Sequence, residues 1–241
     1  MSRVLNGVTT VRLEIAKRVQ EAVEKLSYQS NVAGRNLRMG IDFEFGPDFE
    51  LRSRQYEDVK RNMAQFAVQW VTPSDVVILD SGSTVAYLVS YLPEETLVYT
   101  NSLAILQPAA KRQLSVHLAP GLYVPNLAAV FGEETESYFR NRKATKYFFS
   151  SARVDVQKGL FNVHQTTCNV KQVILEKADM SILLVDHSKF CDADLPAYAP
   201  LSQVDLIITD YVPEPFIESL QETGVQFVEV NAVSSDRSGV E

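Results

Sequence analysis

Residues 76–84 combine an apolar run with small and hydroxyl-bearing residues that could bind an anion. The run VVILD at residues 76–80 predicts a buried strand, and Ser81, Gly82, Ser83 and Thr84 follow it directly. Hydroxyl groups and a small residue at the start of a helix let a phosphate approach backbone N–H groups. Alternatively, these side chains only cap an ordinary helix. The spacing by itself leaves both interpretations open.

Two other predicted strands also end in polar residues. They are Thr100, Asn101 and Ser102 at the end of the strand at 97–100, and Asp186, Ser188 and Lys189 at the end of the strand at 181–186. The carboxyl ends of parallel strands lie at one edge of a sheet. Three polar strand ends at one edge favour a small phosphorylated ligand.

The elements that must position these residues alternate between strand and helix. Strands are predicted at 76–80, 97–100, 114–118, 146–150, 181–186, 205–209 and 225–230. Helices are predicted at 51–71, 84–91, 102–111, 133–141, 166–178 and 214–222. This alternation predicts an α/β fold with a doubly wound, mostly parallel sheet whose ligands bind at the carboxyl ends of the strands.

Composition narrows the class of protein. The chain has 241 residues, of which 46% are hydrophobic, so it is long enough for a substantial core. It contains no apolar run of about 20 residues and no apolar signal-peptide core near its start. We therefore expect a cytoplasmic protein, in which Cys168 and Cys191 are reduced thiols. We expect no metal, cofactor or catalytic residue.

Charge is distributed unevenly along the chain. Residues 1–40 contain seven basic and three acidic residues, a net charge of +4, which leaves −11 for the rest of a chain whose total is −7. A basic segment on an acidic body suggests that only this segment contacts nucleic acid. An ordinary charged helix is the alternative, because the amphipathic segment 11–26 places opposite charges four residues apart.

The same features predict the domain boundaries. We expect a small helical DNA-binding head at residues 1–40 and a linker at 41–50, where IDFEFGPDFE is acidic, aromatic and interrupted by glycine and proline. The sheet domain would occupy residues 51–232. Residues 233–241 are predicted to be a disordered tail.

Several motifs in the sheet domain resemble the effector domain of DeoR-type repressors. They are VILDSGSTVAYLVSYL, LVYTNSLAI, VKQVILEKAD, LLVDHSKF and LSQVDLIITD, and the resemblance covers about residues 52–230. It implies a fold of the ribose-5-phosphate isomerase and glucosamine-6-phosphate deaminase type that senses a sugar phosphate. The residues that match the family's effector site are Asp80, Ser81, Gly82, Ser83, Thr84, Thr100, Asn101, Ser102, Lys171, Asp186, Ser188 and Lys189.

The sequence departs from the family pattern in three places. LAPGLY at 118–123 replaces a glycine pair, and SSARVD at 150–155 replaces an acidic, glycine-rich segment. Thr166, Thr167 and Cys168 stand where acidic residues are common. We therefore expect the phosphate end of the site to be retained and the end that contacts sugar hydroxyls to be altered.

These departures bear on two alternatives to a sensor. A sugar-phosphate isomerase or deaminase needs a carboxylate that moves a proton, and the nearest acid in the altered segment is Asp155. His164 could act as a base, although a single loop histidine more often caps a helix or is exposed. The other alternative is a ligand-free oligomerisation module whose pocket has closed.

The N-terminal segment resembles a different family, the LacI-type DNA-binding head. SRVLNG and the later NVAGRNLR match part of its recognition helix and its hinge helix. The resemblance implies DNA contacts by Ser2, Arg3, Asn6, Asn31, Arg35, Leu37 and Arg38, with the leucine inserted between base steps in the minor groove. A simple capped turn is the alternative for the second motif.

The sequence thus predicts a hybrid transcriptional regulator. The resemblance places Met1 within the recognition helix, so we expect a truncated head that reads an operator only if completed upstream. We expect a dimer or tetramer that binds a palindromic operator, takes a phosphorylated sugar as effector and represses genes of carbohydrate metabolism.

Overall fold

The computed structural model describes residues 48–193 and 197–230. The predicted DNA-binding residues Ser2, Arg3, Asn6, Asn31, Arg35, Leu37 and Arg38 lie outside the described residues, as do most of the predicted linker and the predicted tail. None of the helices in the described part is long and apolar enough to cross a membrane.

Seven strands form one parallel sheet. They are β1 (Val76–Leu79), β2 (Leu97–Thr100), β3 (Val116–Leu118), β6 (Lys146–Phe149), β9 (Ser181–Leu184), β10 (Leu206–Thr209) and β11 (Gln226–Glu229). Their order across the sheet is β11-β10-β9-β6-β1-β2-β3. Two antiparallel hairpins lie outside this sheet: β4 (Leu122–Val124) with β5 (Ala129–Phe131), and β7 (Arg153–Asp155) with β8 (Gly159–Phe161). The prediction of an α/β fold with a mostly parallel sheet is confirmed.

Six α-helices lie in the described part of the chain. They are α1 (Phe49–Arg54), α2 (Glu57–Ala67), α3 (Leu106–Lys111), α4 (Glu133–Arg140), α5 (Gln165–Leu175) and α6 (Glu214–Glu222). Short 3₁₀ helices include Val85–Ser90 after β1 and His187–Lys189 after β9.

The sheet has an apolar core on each face because alternate side chains of a strand point to opposite sides. Ile78 of β1 belongs to one core, whereas Val77 and Leu79 belong to the other. Helix α2 covers the second core through Met63, and α5 covers the first through Ile174. Burial on both faces explains why the central strands are almost wholly apolar in sequence.

The structure corrects three details of the sequence prediction. The single helix expected at 51–71 is two helices, because Tyr56 adopts the left-handed conformation with φ of 53° between α1 and α2. The helix expected at 84–91 is a 3₁₀ helix. The two hairpins were not predicted, because strands of three residues are too short to show a period in sequence.

The order of strands fixes where a ligand can bind. From β1 the chain builds outward through β2 and β3, then crosses to β6 and builds outward on the other side through β9, β10 and β11. The connections that follow β1 and β6 therefore lead in opposite directions across the sheet. Such a reversal opens a crevice at the carboxyl ends of the two strands.

Candidate effector site

A cavity of about 240 Å³ lies at the carboxyl ends of β1 and β6. Its walls come from the loops after β1 and β6, the start of α5, helices α1 and α2, and the 3₁₀ helix after β9. The lining residues are Arg52, Gln55, Lys60, Asp80, Ser81, Gly82, Ser83, Thr84, Leu127, Ser150, Ser151, Ala152, Asn162, Val163, His164, Thr167, Lys171 and Lys189.

The lining is strongly cationic. Apart from His164, the ionisable lining residues are four cations, namely Arg52, Lys60, Lys171 and Lys189, and one carboxylate, Asp80. This balance is opposite to that of the whole chain, whose net charge is −7. A cavity of this composition favours an anionic ligand.

The carboxylate is already paired. Asp80, only 2% exposed, forms an ion pair with Lys171, which is 5% exposed. The Lys171 ammonium also donates to the carbonyl oxygen of Ser150 at 2.9 Å. These contacts join α5 to the loops after β1 and β6, so the pair holds together the three segments that form the cavity floor.

The loop after β1 approaches the loop after β6 closely at Gly82. A Cβ atom at this position would lie 3.0 Å from the Cβ of Ser150, so a larger residue would push the two loops apart. Ser81, Ser83 and Thr84 line the cavity, although little of each residue is exposed. The segment that follows is a six-residue 3₁₀ helix, so hydroxyls and cations must supply most of the attraction for an anion.

Lys60 reaches the cavity from the buried face of α2. It is 3% exposed, and its ammonium donates to the carbonyl oxygen of Arg52 and lies 3.4 Å from Oγ of Ser83. Burial lowers the pKa of Lys60 to about 8, against the attraction of Asp186. Lys60 is therefore mainly charged at neutral pH and lacks full compensation for its lost hydration.

Lys189 also lines the cavity, from the segment that follows β9. It ends the 3₁₀ helix His187–Lys189, which Asp186 caps by accepting hydrogen bonds from the backbone N–H of Ser188, at 3.1 Å, and from its hydroxyl. This cap fixes the turn that presents Lys189 to the cavity.

Comparison with known proteins assigns the domain. Residues 55–211 match the family model described as the DeoR C terminal sensor domain, which is more than half of the chain. The chain belongs to the DeoR family.

Two relatives of this DeoR-family chain are regulators by name. The HTH-type transcriptional regulator IolR of Bacillus subtilis is 29% identical over 164 residues, which cover 67% of this chain and 65% of that protein. The putative aga operon transcriptional repressor of Escherichia coli O157:H7 is 24% identical over 230 residues, which cover 93% of this chain and 84% of that protein.

A solved structure with a similar arrangement is ribose 5-phosphate isomerase A from Methanocaldococcus jannaschii. It is 17% identical, with a TM-score of 0.42, and the match covers 56% of this chain and 55% of the isomerase chain.

In this DeoR-family chain, the cavity brings together only part of the predicted effector site. Asp80, Ser81, Gly82, Ser83, Thr84, Lys171 and Lys189 line it, whereas Thr100, Asn101, Ser102, Asp186 and Ser188 do not. The hydroxyl of Thr100 donates to the carbonyl oxygen of Leu79 at 2.7 Å and accepts from the backbone N–H of Ser102 at 2.9 Å. The first group of residues thus faces the cavity, and Thr100 instead supports the strand that ends beside it.

Sequence reasoning missed the contribution of α1, α2 and the residue after α1 to the cavity wall. Arg52, Gln55 and Lys60 all line the cavity. A signal for Lys60 was present, because it shares the stripe of Met63, Ala64 and Ala67, three, four and seven residues later, that α2 buries. A lysine on an otherwise apolar buried face indicates a polar partner or a ligand.

Two of the three altered segments contribute to the cavity lining, 150–155 through Ser150, Ser151 and Ala152 and 166–168 through Thr167, whereas residues 118–123 do not line it. Asn162 and His164 also line the cavity. The side-chain oxygen of Asn162 accepts from the backbone N–H of Ala152 at 3.0 Å, and His164 caps α5 by accepting from the N–H of Thr166 at 3.3 Å. None of these lining residues is acidic, and most have small, neutral side chains.

Proposed function

We propose that this chain is a transcriptional regulator that responds to a phosphorylated sugar. Membership of the DeoR family and the names of its relatives support the regulatory part. The cationic cavity supports the phosphorylated effector, and this is the observation on which the proposal depends most.

In the proposed complex, the effector phosphate lies against residues 81–84. The hydroxyls of Ser81, Ser83 and Thr84 and nearby N–H groups would donate to its oxygens, while Lys60 and Lys189 would neutralise its charge. Each hydrogen bond to a charged group contributes about 1.5–3 kcal/mol. Lys171 would mainly position the loop, since Asp80 already compensates its charge.

We propose sensing rather than catalysis at this site. An isomerase needs a carboxylate that is free to move a proton between carbons. Asp80, the carboxylate in the cavity lining, is held by Lys171. Asp155 is not among the lining residues and accepts hydrogen bonds from the backbone N–H groups of Gln157, Lys158 and Ala193. An open cavity of about 240 Å³ also disfavours the alternative of a closed, ligand-free module.

The DNA-binding part of the proposal concerns residues 1–40, which lie outside the described residues. It is supported by the basic charge of this segment and by the resemblance of SRVLNG and NVAGRNLR to a LacI-type head. We propose a homo-oligomer that places two such heads on a palindromic operator, most simply as a repressor. Effector binding would change the fraction of molecules whose two heads fit both half-sites.

The effector is tested by calorimetry with five- and six-carbon sugars, each offered with and without a phosphate. We expect binding of at least one phosphorylated sugar and no measurable binding of its unphosphorylated parent, because the phosphate makes most of the charged contacts. Equal binding of a free sugar would place the ligand elsewhere. Incubation with ribose 5-phosphate should give no ketose product.

The DNA contact is tested with a protein extended upstream of Met1, using duplexes that this extended protein selects from a random pool. Replacement of Leu37 by alanine should weaken binding to a selected palindrome and reduce its bend, because the wedge stabilises the unstacked step. Gel mobility of circularly permuted fragments measures both effects. An unchanged bend would contradict the hinge-helix assignment.

A further inference from the structure

Polar contacts hold the last turn of helix α1 (Phe49–Arg54) on the domain. None of its six residues is buried, and its two ends are a capping aspartate, Asp48, and the extended Gln55. A helix this short whose residues are all at least partly exposed contributes little stability of its own. Its position therefore depends on the groups that contact it.

Two of these contacts come from residues beside the proposed phosphate loop. The Lys60 ammonium donates to the carbonyl oxygen of Arg52, and the hydroxyl of Tyr87 donates to the carbonyl oxygen of Ser53 at 3.1 Å. Lys60 also lies 3.4 Å from Oγ of Ser83, and Tyr87 belongs to the 3₁₀ helix that follows Thr84. Two successive carbonyl groups in the last turn of α1 thus accept hydrogen bonds from residues beside the proposed anion site.

The side chain of Arg52 gives α1 a direct part in the cavity wall. Burial lowers the pKa of Arg52, and the attraction of Asp80 opposes this effect only in part. Burial also lowers the pKa of Lys60. Asp186 and Glu57 oppose this shift, whereas Lys189 and Arg52 add to it. For both cations, the loss of hydration thus outweighs the attraction of the negative charges around them.

An anion in the cavity would add negative charge where these two cations meet. It would attract the guanidinium of Arg52 inward and stabilise the charged form of Lys60, which holds the carbonyl group of the same residue. Both effects favour the docked position of α1. They act on the segment through which the chain enters the sheet domain from residues 1–47.

We propose that residues 49–54 form a strap that an anion in the cavity fastens through Arg52 and Lys60, so that effector binding fixes the direction in which the chain enters the sensor domain. The inference rests on the proposed function, because it assigns a regulatory role to the same anion site. It identifies α1 as the element whose docking differs between the free and the bound sensor.

Hydrogen–deuterium exchange of the whole chain tests the strap, with inorganic phosphate as the probe and chloride at equal ionic strength as the reference. Two peptides are compared, one that covers residues 49–55 and one that covers the phosphate loop at 80–86. We expect phosphate to slow exchange in both, in the strap by roughly threefold or more, because a docked helix opens less often.

Two variants on the same helix separate the strap from general effects. Arg52→Gln removes the guanidinium from the cavity, and at a saturating concentration we expect phosphate to protect the loop but to protect the strap much less than in the unmodified chain. Arg54→Gln is the matched control, because the side chain of Arg54 is 77% exposed and pairs with Glu50 only on the surface. We expect both peptides of the control to respond as in the unmodified chain.

The outcomes distinguish the strap from the proposed function. Protection of the loop without protection of the strap in the unmodified chain would overturn the strap and leave the anion site in place. An absence of protection in both peptides would overturn both proposals. Because the unmodified chain by itself separates these outcomes, a failure of Arg52→Gln to fold would leave the test intact.

Discussion

Asp80 and Lys171 lie 91 residues apart in the sequence and form a buried ion pair at the carboxyl end of β1. The pair joins the loop after β1 to α5, and through the carbonyl oxygen of Ser150 it also holds the loop after β6. The floor of the cavity thus depends on one long-range electrostatic contact.

Breaking this pair on one side should destabilise the domain. Lys171→Met leaves the Asp80 carboxylate buried without its counter-charge, and such changes cost about 3–5 kcal/mol. Denaturation in urea measures the free energy of unfolding. The double variant Asp80→Asn/Lys171→Met should recover part of the loss. Arg61→Gln is the control, because its pair with Glu57 is about half exposed and contributes about 0–1 kcal/mol. If Lys171→Met and Arg61→Gln lowered the free energy of unfolding equally, the Asp80–Lys171 pair would not hold the cavity floor together.

Anion binding should weaken above pH 8. Burial lowers the pKa of Lys60 to about 8, so the side chain loses its charge as the pH rises through this value. Calorimetric titration with phosphate between pH 7 and about 9.5 should show falling affinity, and Lys60→Met should bind weakly at every pH. An affinity that stays level over this range would mean that Lys60 does not contact the anion.

The same lowered pKa has a consequence for stability without ligand. The unfolded chain keeps its lysine proton up to about pH 10.4, so between about pH 8 and 10 it binds more protons than the folded chain. This group therefore makes the free energy of unfolding rise with pH in that window. Lys60→Met should remove the rise, whereas Lys177→Met, on a residue after α5 outside the cavity lining, should keep it.

A negative charge in the phosphate loop should abolish effector binding without unfolding the protein. Ser83→Asp places a carboxylate beside Lys60, where it takes the position proposed for the phosphate. Calorimetry with phosphate should show no binding, while the thermal unfolding temperature stays equal or rises because a buried cation gains a partner. Ser83→Ala, the neutral control, should weaken binding only moderately. Unaltered binding by Ser83→Asp would show that the phosphate site is misplaced.

Asp155 should act in stability rather than chemistry. Although burial raises the pKa of Asp155, hydrogen bonds from the N–H groups of Ala193, Lys158 and Gln157 lower it more, so the net shift is downward. Asp155→Asn should cost about 1–3 kcal/mol at pH 7. The stabilisation exists only while the carboxylate is ionised. The difference in the free energy of unfolding between Asp155→Asn and the unmodified chain should therefore shrink as the pH falls below about 4. A difference that persists at about pH 2 would contradict this origin.

The sequence determined the fold class and part of the candidate site. Short apolar runs that alternate with helical periods leave few options besides a parallel sheet, since crossovers between parallel strands require helices. The residues from Asp80 to Thr84 were identifiable because they follow a strand directly, and the chain itself places such residues at the edge of the sheet.

Only the tertiary structure decided which other residues join them. Thr100 ends β2 and Asp186 follows β9, but the hydroxyl of Thr100 bonds to backbone groups, Asp186 caps a 3₁₀ helix, and neither residue lines the cavity. Arg52 and Lys60 precede the sheet in sequence and reach the cavity because α1 and α2 fold back over the carboxyl end of β1. Contacts between segments distant in sequence depend on how helices pack on the sheet, and a local pattern of residues carries little information about that packing.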